Sequence, residues 1–208
     1  MSLMPENDTS RALAVAVWPD SVNRLVQGVA LVLLGTVVLA ISAKIKVPFY
    51  PVPMTLQTLA VLLIAATYGS RLAVATVAAY IVEGMLGLPV FTNTPPAIAG
   101  PAYMLGPTAG FIVSWLAVAA IVGTATDRGW DRSIVKLGGA MVVAIVVQFA
   151  LGFGWLAWFA QIPNGATGIG VSGAFFGGVA PFLLGDALKI ALAALAVPAA
   201  WRLLDRQA

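Results

Sequence analysis

A carboxylate and an ammonium lie three residues apart near the end of a chain that is apolar almost everywhere else. They are Asp186 and Lys189, which face the same way if the segment is helical. A charge at the bilayer centre costs roughly 2.5 to 3.5 kcal/mol on insertion scales, so an intramembrane ionisable pair indicates a functional site. The carboxylate could accept two ligand N–H groups while the ammonium donates to a carbonyl or carboxylate, as a cyclic urea or amide requires. The alternative is an internal ion pair in which Asp186 caps the helix and no ligand is needed.

Four further side chains have types that suit contact with a small ring. Gln57 follows the proline-rich stretch 51–53, and it either points into an outer cavity as a neutral donor and acceptor or lies solvated in a first helical turn. Phe91 and Tyr103 border a loop that also carries the amide Asn93. Their rings are either apolar walls for a ligand or plain loop packing.

The residue types that the chain lacks exclude most catalytic chemistry. The sequence has no cysteine and no histidine, which removes disulfides, Cys- or His-ligated metals and nucleophiles that depend on an imidazole base. Asp186 is the one clearly intramembrane aspartate, whereas an aspartyl protease needs two. The glycine-rich stretch 165–173 lacks the Lys-Ser/Thr of a nucleotide-binding loop. We therefore expect no enzyme activity, no cofactor and no metal, and the scattered basic residues predict no nucleic-acid partner.

Membrane helices must position these residues. Hydrophobic residues make up 61% of the chain and charged residues 9%, the composition of an integral membrane protein. About 20 apolar residues cross a bilayer as a helix, so the sequence predicts an all-α protein with six transmembrane helices and a tight turn at Gly69. The helices are expected at about 22–43, 55–68, 72–86, 107–124, 134–159 and 186–203. They form one membrane domain, 22–208, after a cytoplasmic tail at 1–21.

The distribution of basic residues predicts the orientation. If both termini are cytoplasmic, only Lys44 and Lys46 lie in an outer loop. The basic residues inside are then Arg11, Arg24, Arg71, Arg128, Arg132, Lys136, Arg202 and Arg206. The chain is thus predicted to be a multi-pass protein of the cytoplasmic membrane.

Three irregular segments, rich in glycine or proline, then fall on the outer side together with Asp186. We name them the first (44–54), second (87–106) and third (161–185) irregular segments. Irregular backbone near membrane depth is tolerated only where it is buried in protein or lines a cavity. They therefore predict an outer loop layer that forms a pocket opening outward.

Other polar and aromatic residues near these helices are predicted to be structural. Glu83 is expected to pair with Lys44 or Lys46 or to cap a loop, and Gln148 to join helices, with ligand contact the less favoured interpretation. Trp155 and Trp158 suit anchors at the outer interface.

Four ordered motifs resemble those of the BioY family. They are Pro-Val-Pro-Met-Thr-Leu-Gln-Thr-Leu-Ala-Val at 51–61, Gly-Leu-Pro-Val-Phe at 87–91, Leu-Gly-Pro-Thr-Ala-Gly at 105–110 and Gly-Asp-x-x-Lys at 185–189. BioY proteins are the biotin-specific substrate-capture (S) components of energy-coupling-factor (ECF) vitamin transporters. The resemblance extends over about 22–203.

The resemblance implies a six-helix protein that binds biotin from the outside with high affinity, where a nanomolar value means about 12 kcal/mol. In the family the Asp and Lys of the Gly-Asp-x-x-Lys motif serve the ligand, and here these are Asp186 and Lys189. The loop after Gly-Leu-Pro-Val-Phe helps to form the pocket, which implicates Phe91, Asn93 and Tyr103. Expected partners are a transmembrane coupling subunit and two cytoplasmic ATPases, since the chain has no nucleotide motif.

Some points stay open at this stage. Backbone N–H groups near Gly106 and Thr108, at the start of the fourth helix, or Lys189 are candidates for the ligand carboxylate. Docking of a coupling subunit is expected through a small-x-x-x-small surface on the first helix, a spacing kept by Thr36 and Ala40. The oligomeric state is open, a homo-oligomer included. Alternative functions are capture of another small cyclic vitamin, an intramembrane enzyme and a non-transporting membrane adaptor.

Overall fold

Long apolar helices build the protein, whose computed structural model describes residues 12–16, 23–162 and 165–205. The α-helices are α1 (Leu13–Ala16), α2 (Arg24–Lys44), α3 (Gln57–Met85), α4 (Ala109–Asp127), α5 (Ile134–Trp158), α6 (Gly170–Gly178) and α7 (Leu183–Asp205). Strands β1 (Lys46–Val47) and β2 (Met54–Thr55) pair antiparallel. Short 3-10 helices occupy Pro101–Leu105, Trp130–Arg132 and Ala180–Phe182. Apart from this strand pair, the prediction of an all-α fold is confirmed.

Five helical segments within the described residues are long and apolar enough to cross a membrane. They are Arg24–Lys44, Gln57–Met85, Ala109–Asp127, Ile134–Trp158 and Gly170–Asp205. This agrees with the predicted class of membrane protein. Most of the tail predicted at 1–21 lies outside the described residues.

Gly69 divides α3 into two arms that lie side by side. Its φ of 76° and ψ of 174° are not helical, and glycine adopts a positive φ without steric cost. Gln57 Nε2 donates to Tyr80 Oη at 2.6 Å, although a continuous helix of that length would hold the two residues about 35 Å apart. The carboxylate of Asp127, at the end of α4, accepts from the Ser70 N–H at 3.3 Å and from the Ser70 hydroxyl. The tight turn predicted at Gly69 is therefore present.

The core lies between α3, α4, α5 and α7. Tyr80 and Phe91 are fully buried, and their rings meet edge to face at a centroid distance of 5.5 Å. Tyr80 also lies 6.3 Å from the ring of Trp115 on α4. These aromatic contacts join the second irregular segment to the helices.

The irregular segments contact one another at one end of the helices. Lys44 Nζ, in the first segment, donates to the carbonyls of Pro89 at 2.7 Å and Phe91 at 2.8 Å in the second. The Gln161 N–H, in the third, donates to the Leu105 carbonyl at 2.8 Å. The ammonium group of Lys46 contacts the side chain of Asn93. Both lysines thus contact the second segment, and the expected pairing of Glu83 with either of them is not found in the described part of the chain.

Two segments are more regular than the sequence indicated. The first contains the β1–β2 pair, and the third contains α6 and a 3-10 helix. The α6 sequence Gly-Val-Ser-Gly-Ala-Phe-Phe-Gly-Gly is rich in glycine, which after proline is the residue that favours helices least. Packing against α5 supports the helix instead, which is why local propensity did not reveal it.

A polar cluster joins the helices at the opposite end. Trp201 Nε1 on α7 donates to Asp131 Oδ2 at 2.6 Å, and the Arg132 guanidinium lies 4.1 Å from the Trp201 ring centroid. Arg132 also lies 3.8 Å from a carboxylate oxygen of Asp205. Burial raises the pKa of Asp131 above its ordinary value of 3.8.

Candidate ligand-binding site

A cavity lies where the irregular segments meet α3, α4 and α5, and its space together with the open solvent at its mouth is about 420 Å³. All three segments contribute to its wall. They supply Val52, Pro53, Thr92 and Phe182. Two further lining residues, Thr55 and Thr108, follow the first and second segments closely. The helices supply Gln57, Thr58, Phe111, Ile112, Trp115 and Gln148. The lining is mostly apolar with a few polar groups, as is typical of small-molecule sites.

Three buried polar atoms in this wall lack a hydrogen-bond partner within the described residues. They are Thr92 Oγ1, Trp115 Nε1 and Gln148 Oε1, on residues that are 4%, 5% and 3% exposed. Trp115 Nε1 is a donor, Gln148 Oε1 is an acceptor and the threonine hydroxyl can be either. An unsatisfied buried polar group costs about 1–3 kcal/mol, and native proteins rarely leave one without a reason. Their convergence on one cavity suits a bound polar molecule.

Helical spacing brings the wall of α4 together. The wall residues Phe111, Ile112 and Trp115 follow Thr108 by three, four and seven residues. This is the spacing of one helical face. Thr108 directly precedes α4, so the first backbone N–H groups of that helix lie beside the cavity. Gln148 approaches the same space from the middle of α5.

Gln57 and Thr108 are the two predicted site residues that line the cavity. Gln57 is 2% exposed, so it is not a solvated first-turn residue. Its Nε2 donates to Tyr80 Oη, and its Oε1 accepts from Thr55 Oγ1 at 3.3 Å. These two hydrogen bonds fix the orientation of the amide.

The predicted aromatic residues lie behind the cavity wall. Phe91 is fully buried and stacks on Tyr103 at a centroid distance of 4.7 Å. The Tyr103 hydroxyl donates to the Thr92 carbonyl at 2.6 Å, and burial raises the pKa of Tyr103. The two rings therefore position Thr92, and their direct contact with a ligand stays a prediction.

Asn93 and Gly106 have partners inside the loops. Asn93 is exposed, has a φ of 62° and contacts Lys46. The Gly106 N–H donates to the Tyr103 carbonyl at 3.1 Å, and its own carbonyl accepts from Trp155 Nε1 at 2.9 Å. The Gly106 N–H is thus already engaged.

Asp186 and Lys189 form a closed ion pair on α7. Lys189 Nζ lies 2.7 Å from Asp186 Oδ1, and the side chains are 8% and 3% exposed. Neither is part of the cavity lining. Phe182, which does line the cavity, ends the 3-10 helix that directly precedes α7, four and seven residues before the pair. The observed pairing is the internal ion pair that was the alternative interpretation of these two residues.

The three wall residues with unpartnered polar atoms were not among the predicted site residues. They are Thr92, Trp115 and Gln148, and Gln148 was predicted to join helices. The spacing from Thr108 to Trp115 was a usable signal, because both lie on one face of a helix that begins at a predicted site. No local signal distinguishes Thr92 from any other loop threonine.

The helices define a membrane protein, and a partly polar cavity lies where its irregular segments meet α3, α4 and α5. A sequence model of the BioY family matches residues 10–206. The chain belongs to the BioY family.

Individual relatives agree with this assignment, and a solved structure shares the fold. The probable biotin transporter BioY of Pyrococcus horikoshii is 34% identical over 80% of this chain and 91% of its own length. The biotin transporter BioY of Rhizobium etli is 32% identical over 76% of this chain and 83% of its own length. The crystal structure of the S-component for biotin from an ECF-type ABC transporter superposes with a TM-score of 0.68 at 21% identity. That match covers 88% of this chain and 95% of the other and supports the fold.

Proposed function

We propose that this chain captures biotin in the described cavity and mediates its uptake across the cytoplasmic membrane as the S component of an ECF transporter. One observation carries the assignment of the site: Trp115 Nε1 and Gln148 Oε1 are buried and have no partner within the described residues, and both residues line one cavity. The ureido ring of biotin offers a carbonyl oxygen for such a donor and an N–H for such an acceptor. Membership of the BioY family supports biotin as the ligand. Because BioY proteins are transporters, membership also agrees with the expectation that the chain is not an enzyme.

Asp186 and Lys189 serve the ligand in this proposal by exchanging their mutual contact for contacts with biotin. The carboxylate takes ureido N–H groups, and the ammonium supplies a countercharge or donates to a carbonyl. Their burial on α7, close in sequence to the wall residue Phe182, supports this role. The backbone at Thr108 and the start of α4 is the second candidate for the ligand carboxylate.

The outer loop layer forms the lid of this pocket. Phe91 and Tyr103 hold Thr92 at its wall, and Asn93 ties the loop to Lys46. Because the first, second and third irregular segments all supply wall residues, movement of this layer opens the cavity to the outside.

Six crossings follow if each arm of α3 spans the membrane separately. The arms 57–68 and 70–85 are about 18 and 24 Å long, and their antiparallel arrangement is supported by the contact of Gln57 with Tyr80. Arg128, Arg132 and Arg202 lie near the Asp131 cluster, at the end opposite Lys44. By the positive-inside rule that end is cytoplasmic, together with both termini.

The proposed partners are a transmembrane coupling subunit and two cytoplasmic ATPases. Their contact with α2 does not use the pair Thr36 and Ala40 as expected, because Thr36 is buried and its hydroxyl donates to the Leu33 carbonyl at 3.0 Å. Co-purification of the three proteins with this chain, or uptake that requires them, tests this part of the proposal.

Binding of labelled biotin to the purified chain tests the site. Trp115→Phe removes the indole N–H together with part of the ring, and Gln148→Met replaces the amide by an apolar chain of similar length. We expect each to weaken binding by about 5- to 150-fold, the equivalent of one lost hydrogen bond in a buried site. Trp158→Phe is the matched control, since Trp158 is 55% exposed and does not line the cavity.

The unliganded Gln148→Met variant should be about as stable as the parent, because it loses an unpartnered buried oxygen. Trp115→Phe also loses ring volume at a buried position, so its melting temperature is measured beside its binding. Weak binding in a stable variant is therefore not an effect of misfolding. If both variants bind biotin like the parent, the cavity is not the site. If the parent itself does not bind, biotin is not the ligand.

A further inference from the structure

A second groove lies at the end of the protein opposite the biotin cavity. It has about 680 Å³ of empty space and runs between α4 and α5. Arg128, Trp130 and Lys136 form its mouth, and its floor is apolar. The groove therefore combines two positive charges with a hydrophobic trough.

The two basic residues at the mouth have no acidic partner in the part of the chain that the structure describes. The nearest carboxylates in sequence are engaged elsewhere: Asp127 accepts from Ser70, and Asp131 accepts from Trp201. Arg128 and Lys136 are both exposed. Their charges are thus free to attract an anion from outside the protein.

The apolar floor continues along α5. Val135, Gly139 and Val143 line the groove at intervals of four residues and extend about 12 Å along the helix axis. The absence of a side chain at Gly139 leaves the trough open, because a Cβ placed there would meet nothing within 4 Å. An extended hydrocarbon chain fits such a trough, and the half-buried Trp130 beside its mouth suits the depth of lipid headgroups.

We propose that this groove binds an anionic phospholipid of the surrounding membrane. The phosphate lies between Arg128 and Lys136, and one acyl chain lies along 135–143. The charge selects an anionic headgroup, as basic pockets between transmembrane helices do. The apolar floor selects a lipid over a free anion, because a soluble phosphate would leave that surface uncovered.

Native mass spectrometry of the full chain in mild non-ionic detergent tests the proposal. Dioleoyl phosphatidylglycerol and dioleoyl phosphatidylcholine have the same acyl chains, so a difference in their binding reports the effect of the headgroup alone. We expect the parent to prefer phosphatidylglycerol by about thirty-fold, the effect of two basic side chains near an anionic surface. The double variant Arg128→Gln/Lys136→Gln should lose that preference. Arg71→Gln/Arg202→Gln removes the same charge at the same end outside the groove and should keep it.

The variant Gly139→Leu tests the contribution of the acyl chain independently of the contribution of the headgroup. The new side chain enters open space, so the fold is retained while the trough is filled, and retention of both lipids should fall. Glycerol 3-phosphate, which has the charge without the tails, should not compete.

Three results would each overturn the proposal. They are an unchanged headgroup preference in the Arg128/Lys136 double variant, an unchanged lipid retention in Gly139→Leu, and competition by glycerol 3-phosphate at the same concentration as the lipid. Melting temperatures of all variants, measured without added lipid, identify any that fail to fold. For a variant that does, Arg128→Met/Lys136→Met or Gly139→Val takes its place.

Discussion

Removing one partner of the Asp186–Lys189 pair should destabilise the protein strongly. The two atoms lie 2.7 Å apart on side chains that are less than one-tenth exposed, so neither charge has bulk water as an alternative. Breaking a buried pair by removing one partner costs about 3–5 kcal/mol, because the remaining charge is uncompensated. Asp186→Asn and Lys189→Met should therefore both lower the melting temperature of the unliganded chain.

Removing both charges should restore much of that stability. Apolar residues of similar volume in place of a buried pair are often neutral or stabilising by about 1–4 kcal/mol. Asp186→Leu/Lys189→Met should thus melt near the parent. Its biotin binding then decides the role of the pair, because a purely structural pair would leave binding intact, whereas a pair that serves the ligand would not.

The assay combines thermal unfolding with equilibrium binding of labelled biotin on the same samples. We expect a double variant that is folded but binds at least a hundred-fold more weakly, consistent with the loss of two charged hydrogen bonds of about 1.5–3 kcal/mol each. Parent-like binding by the double variant would refute the ligand role. Single variants as stable as the parent would refute the reasoning about a buried pair.

Two further predictions concern the opposite end of the helices. Gly69→Ala should destabilise the protein by at least about 1–2 kcal/mol, because alanine disfavours a φ of 76° and its Cβ would collide with the carboxylate of Asp127. The control is Gly139→Ala, which lies in open space inside a helix and should be neutral or stabilising. Equal melting temperatures for the two variants would refute the turn. Asp131→Asn should alter the pH dependence of stability. Burial raises the pKa of Asp131 in the folded state above 3.8, so the parent binds more protons folded than unfolded and loses stability relative to the variant as pH rises from about 3 to 7. A stability difference that stays constant or moves the other way would contradict this.

Much of the helical framework was predictable from sequence. The long apolar runs that become α2, α4 and α5 have one physical explanation in a membrane protein, and Gly69 before a polar pair marked the turn within α3. The β1–β2 pair is too short to leave a periodic pattern, since each strand has two residues. The glycine-rich α6 carried the opposite of a helical signal and forms through its contact with α5.

The site was less predictable, because in an apolar chain a conspicuous polar residue is not necessarily one whose polar atoms are free to bind a ligand. Asp186 and Lys189 were conspicuous as charges, yet in the structure they satisfy each other. Gln148 and Trp115 were inconspicuous because a helix in lipid carries similar residues for packing or anchoring, yet they hold the atoms without partners. Only the packing of α4 against α5 and the irregular segments decides which polar atoms lack a partner, and the proposed site is placed at those atoms. A ligand that meets the unpartnered atoms first and the ion pair afterwards would gain hydrogen bonds at entry and break the Asp186–Lys189 contact only once biotin can replace it.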